Sequence, residues 1–136
     1  MIDQQEQQEV LSIANQYFLN EFGSQELADE AMGKLAAIVQ DDGAKLVHFG
    51  NVLFLILVRG KGAVEIHTMS IEPNPRELVK NFIQLIDYLR NIGTKVAYTY
   101  SDQKYVERLM DMTKLPMTKK KVDVDGSPST VYIMEL

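Results

Sequence analysis

Few side chains in this sequence are suited to acid–base chemistry, and two of them, Glu65 and His67, stand two residues apart. In an extended segment, residues i and i+2 lie on one face, so this spacing lets a carboxylate orient an imidazole. Such a pair can take a proton from an amine. The plainer reading is an edge or solvent-facing pair, and with only two histidines in the chain that reading is adopted. The other histidine, His48, has no metal-ligand partner nearby in sequence and reads as structural, so no metal site is expected. Asp123 and Asp125 lack the spacing of a calcium loop. Cysteine is absent, which removes disulfides, thiol nucleophiles and thiolate metal sites together. The phosphate-binding P-loop, the dinucleotide glycine fingerprint and the nucleophile elbow are all missing.

A net charge of −5 and a pI near 5.0 disfavour non-specific binding to nucleic acid. Basic residues nevertheless gather in the C-terminal third: Lys104, Arg108, Lys114 and Lys119–Lys121. They would suit a phosphate or RNA patch, or a strand edge protected by lysines; the second reading is adopted. Tyr98, Tyr100, Tyr105 and Tyr132 are expected to fill a sheet face rather than line a cleft. The longest apolar run, Val52–Val58, suits a buried strand and is too short to span a bilayer. The acidic, Gln-rich start, MIDQQEQQEV, lacks the basic-then-apolar pattern of a secretory signal. A cytoplasmic location without membrane contact is expected.

These residues are positioned by a strand–helix–strand unit from Gly62 to Ser101. Val64, Ile66, Met69 and Ile71 mark a strand, Leu78 to Leu89 recur at helical spacing, and Lys95–Tyr100 reads as a second strand. A crossover this long makes the two strands parallel and right-handed. Val64 and Ile66 are out of phase with Met69 and Ile71, which predicts a β-bulge near His67-Thr68. Before the unit come helices over 3–20 and from an N-cap at Ser24 to near Asp41-Asp42-Gly43, then strands 45–49 and 52–58 joined by Gly50-Asn51. After it come a helix capped by Ser101 or Asp102 and ended by Pro116, then strands 119–124 and 130–135 joined by Asp125-Gly126-Ser127-Pro128. At 136 residues this is one domain, 1–136: an α/β (α+β) chain of order α-α-β-β-β-α-β-α-β-β.

This order resembles the GNAT (Gcn5-related N-acetyltransferase) fold, lacking only its usual first strand. The resemblance implies a mixed sheet of about six strands with four helices. It also implies a bulged strand and a following parallel strand that splay apart to admit the arm of acetyl-CoA, here 63–71 and 95–100. If active, such a chain would use Glu65 or His67 as base and Tyr105 as acid, with Ser70, Ile71 and Arg76 at the cofactor. The family's pyrophosphate loop, Arg/Gln-x-x-Gly-x-Gly/Ala, corresponds to Ser70-Ile71-Glu72-Pro73-Asn74-Pro75-Arg76-Glu77. That segment has no glycine, two prolines without N–H groups and two carboxylates. The chain is also similar to the acetyltransferase-like proteins of tailed phages, which share its size and a poorly kept loop.

The expectation drawn from this loop is a non-catalytic GNAT-like protein, a structural or protein-interaction component of phage-virion type, without cofactor. Its partner would be another protein or a second copy. Its location would be the host cytoplasm or the virion. The splay between 63–71 and 95–100 would then be closed or filled by side chains such as Met69 and Tyr98. The alternative is an acetyl-CoA-dependent N-acetyltransferase with a divergent cofactor loop and a small-molecule substrate.

Overall fold

The computed structural model describes residues 4–136. Residue 3, where the first helix was expected to begin, and the start of the MIDQQEQQEV segment lie outside the described residues. The elements are α1 (Gln4–Phe22), α2 (Gln25–Val39), β1 (Ala44–Phe49), β2 (Val52–Gly60) and β3 (Ala63–Ser70), then α3 (Pro75–Asn91), β4 (Val96–Ser101), α4 (Lys104–Thr113), β5 (Thr118–Val124) and β6 (Ser127–Glu135). The order matches the one read from the sequence. One six-stranded sheet runs β1-β2-β3-β4-β6-β5, antiparallel everywhere except at β3/β4.

Both faces of the sheet are covered. On one, Val52, Phe54, Ile56, Val64, Ile66 and Ala97 pack under Phe82, Leu85, Ile86 and Leu89 of α3 and Met110 of α4. On the other, Leu53, Leu55 and Met69 pack under Ile13, Ala14 and Leu35 of α1 and α2. Two covered faces explain why β2 is apolar without alternation.

They also remove the need for a bulge in β3. The β2/β3 register is unbroken from Val52↔Ser70 to Val58↔Val64, and the irregularity lies between Val58 and Gly60. Val64 and Ile66 face α3, whereas Met69 faces α1 and α2. The change of phase is two apolar faces used in turn.

Three smaller expectations also shift. The last hairpin turns at Asp125-Gly126, where both φ angles are positive, so β6 starts at Ser127 rather than Thr130. The N-cap of α4 is Gln103, without a side-chain capping bond; Ser101 Oγ instead accepts the Gln103 N–H at 3.0 Å. Of the four tyrosines expected on a sheet face, Tyr132 is buried in the core, but Tyr100 and Tyr105 are exposed at 42% and 61%.

Candidate functional site

The parallel junction of β3 and β4 pairs only Ala63↔Val96, Val64↔Ala97 and Glu65↔Tyr98. Gly62 fastens this end: its carbonyl accepts the N–H groups of Lys95 and Val96 at 2.8 and 2.9 Å. Its φ of +71° places it in the region that favours glycine, and a Cβ there would meet Lys95 Cγ at 2.8 Å. One residue beyond the last pair, the Ile66 carbonyl receives the Thr99 hydroxyl at 2.8 Å. From that point the strands diverge.

Between them lies a cleft of about 700 Å³ that passes from one face of the sheet to the other. Its floor is Ile66–Ser70 of β3 and Thr99–Ser101 of β4. On the α3/α4 side it is walled by Leu78, Val79, Phe82, Val106, Leu109 and Met110. On the α1/α2 side the walls are Tyr17, Phe18, Leu35 and Ile38, with Leu55 and Leu57 of β2. Tyr105 and the exposed Tyr100 and Ile38 stand in its rim. The expected closure by side chains does not occur. Met69 packs beneath α1 and α2 and lines the cleft without closing it, and Tyr98 turns to Glu65 instead of filling the gap.

Glu65 and His67 share the α1/α2 face of β3, and His67 Nε2 is hydrogen-bonded to Glu65 Oε2. A carboxylate only accepts, so neutral His67 carries its proton on Nε2 and keeps Nδ1 as a lone pair. Glu65 is fixed from two further directions, by Arg59 Nε at 3.2 Å and by the Tyr98 hydroxyl at 3.5 Å. Its side chain is mostly buried, whereas that of His67 is half exposed and lines the cleft. Burial first, then the Glu65 charge, push the Tyr98 hydroxyl above its ordinary value and keep it a donor. Tyr17 is likewise raised, by burial, then Glu21, then Tyr105, and both tyrosines line the cleft.

The loop from β3 to α3 has a different character. Ile71 N–H goes to the Asn51 carbonyl at 3.1 Å. Ser70 Oγ accepts from Glu72 N–H, Glu72 Oε2 from Asn74 N–H, and Asn74 Oδ1 from Arg76 N–H, each at 3.0 Å. Pro73 and Pro75 have no N–H to give. Every backbone N–H from Ile71 to Arg76 is therefore absent or already used.

Of the residues named from the sequence, His67, Ser70 and Tyr105 line the cleft and Glu65 supports His67. Ile71 and Arg76 do not line it. Arg59 and Thr99 were missed, and Tyr98, expected in the gap, donates to Glu65 instead. Their roles depend on cross-strand register, for which no local pattern gives a signal. The paired side chains of the loop did leave one: Ser70, Glu72 and Asn74 each sit two residues before the N–H they accept. His48 lies beside Glu9 at 3.4 Å, and among the described residues no cluster of three or more His, Cys, Asp or Glu could hold a metal. Lys119 is bound to Asp111 and Glu107 of α4 on the edge strand β5. No helix of the described residues is long and apolar enough to cross a membrane.

No protein-family profile matches the chain, and no curated protein sequence matches it either. Solved structures do. A probable GNAT-family acetyltransferase from Chromobacterium violaceum superposes with a TM-score of 0.65 at 13% identity, covering 90% of this chain and 80% of that one. A putative GNAT-family acetyltransferase from Desulfovibrio desulfuricans gives 0.65 at 11%, covering 94% and 92%. The PaiA N-acetyltransferase of Thermoplasma acidophilum, in complex with coenzyme A, gives 0.57 at 10%, covering 99% and 96%.

These neighbours and the open cleft overturn the expectation of a non-catalytic structural component. They favour its enzymatic alternative, and with a coenzyme A complex among them the expectation of no cofactor loses its support. The residues fit that group unevenly. The cleft suits a narrow, amide-bearing arm, whereas the loop has no free backbone N–H between Ile71 and Arg76 for a diphosphate. At these identities the likeness is one of fold. The chain has the GNAT fold, an α+β architecture of four helices on a mixed six-stranded sheet.

Proposed function

We propose that this protein is an N-acyltransferase that takes an acyl group from a pantetheine-type thioester, of which acetyl-CoA is the simplest, and delivers it to an amine. The observation that carries this reading is the cleft. Two parallel strands separate after three pairs, leaving backbone and apolar walls around a passage through the sheet. An extended chain with two amides is the kind of ligand that adds between strand edges. His67 reaches the same cleft with Nδ1 free.

In the reaction class, a bond forms between the amine nitrogen and the acyl carbon and the carbon–sulfur bond breaks, a proton leaving the nitrogen and one reaching the sulfur. His67 Nδ1 receives the first proton. Glu65 holds the imidazole in the required tautomer and stabilises its charged form, while Arg59 and Tyr98 hold Glu65. Glu65 is too enclosed to be the base itself, which leaves it a positioning residue. Tyr105, exposed in the rim, supplies the second proton. The walls on the α1/α2 side admit an amine with an apolar body.

The test is thiol release from acetyl-CoA with a panel of primary amines, aliphatic and aromatic. Amine-dependent release that falls about a hundredfold in His67→Ala, with KM little changed, is expected. Equal release with and without every amine would sink the proposal.

A further inference from the structure

The unequal fit of cleft and loop has a consequence for the donor. In the loop, the N–H groups of Glu72, Asn74 and Arg76 are taken by Ser70, Glu72 and Asn74, and those of Pro73 and Pro75 do not exist. The Glu72 carboxylate, which also stands 3.5 Å from Asn51 Nδ2, occupies the place beside the helix where an anion would bind. Glu77 adds a second negative charge in the first turn of α3, against the single cation of Arg76. A diphosphate arriving there finds no free backbone N–H between Ile71 and Arg76 and a resident carboxylate, with the Arg76 side chain the one cation of the segment.

From this we infer that the protein reads its donor through the thioester and pantetheine arm alone, and that the nucleotide end of coenzyme A contributes nothing to recognition. The donor class is then pantetheine thioesters in general, with or without a nucleotide. Glu72 is the residue that sets this preference: its carboxylate closes the loop on itself and repels phosphate. This inference rests on the acyltransferase reading and narrows it.

Calorimetry on the full chain separates the two. The probes are acetyl-CoA, S-acetyl-4′-phosphopantetheine and S-acetylpantetheine, whose binding needs no amine. Dissociation constants within tenfold of one another are expected. Acetyl-CoA binding tenfold or more tighter than S-acetylpantetheine overturns the inference and leaves the acyltransferase reading standing. No binding of any of the three at millimolar concentration overturns that reading as well. In Glu72→Gln the amide oxygen can still accept the Asn74 N–H, so the loop keeps its shape while losing its charge. Acetyl-CoA should then bind at least twofold tighter with S-acetylpantetheine unchanged. Unchanged binding of both would show that the carboxylate does not exclude the diphosphate.

Discussion

Replacing Thr99 by Val tests how the cleft is held at its point of divergence. Thr99 is 9% exposed and its hydroxyl donates to the Ile66 carbonyl, one residue past the last β3/β4 pair. Valine conserves the shape of the side chain and removes the donor. The carbonyl then loses its partner at a position the ladder no longer serves. An acceptor left unpaired in a buried setting costs roughly 1–3 kcal/mol. Water in the adjoining cleft can reach this carbonyl, which puts the expected loss near the lower end, about 1–1.5 kcal/mol. For a chain of 136 residues that corresponds to a fall in Tm of roughly 3–5 °C. Urea unfolding followed by circular dichroism should show a lower midpoint with an unchanged slope. Thr99→Ser keeps the hydroxyl and should recover more than half of the loss. A Val variant within about 0.3 kcal/mol of the parent, or a Ser variant no better than Val, would refute the role given to this bond.

Other outcomes follow from the same structure. Glu65→Gln should lower kcat about tenfold and His67→Ala about a hundredfold, and the double variant should lose no more than His67→Ala, because Glu65 acts through the imidazole. Additive losses in steady-state kinetics would contradict that dependence. Gly62→Ala should destabilise the fold by roughly 1–2 kcal/mol in urea unfolding, since its φ is +71° and the added Cβ meets Lys95 Cγ; an unchanged midpoint would refute the strain. Burial, and after it Glu107, hold the core Tyr132 hydroxyl above its ordinary value of 10.0. A group raised in the folded state contributes stability that is complete below the unfolded value and lost as pH rises through the folded one. Unfolding free energy should therefore fall above pH 10, with Tyr132→Phe showing a shallower fall; identical slopes would remove Tyr132 as the cause.

How much of this was legible in the sequence differs between fold and site. Element order, the crossover helix and its Asn74 cap, and the hairpin at Gly50-Asn51 were legible because each is signalled by local periodicity or turn chemistry. The phase change in β3 was also visible, but its cause was misread. A bulge and a sheet covered on both faces leave the same pattern, and only the unbroken β2/β3 register separates them. The spacing of Glu65 and His67 put them on one face, although the solvent-facing reading was the one adopted; Arg59 and Tyr98 reach Glu65, and Thr99 the Ile66 carbonyl, across strands without a local trace. The loop misled in a more instructive way. Its prolines and carboxylates were read as the loss of a whole site, yet the cleft between β3 and β4 is open beside them. The cleft depends on where β3 and β4 stop pairing, and the composition of residues 70–77 says nothing about that.

The central claim is that the passage between β3 and β4 holds the donor's arm. Amide chemical shifts recorded on titrating S-acetylpantetheine into the labelled protein test it most directly. The account predicts saturable changes in residues 66–70 and 99–103, with β5 and the 125–126 turn unmoved. No change at millimolar ligand, or changes confined to β5 and β6, would contradict it.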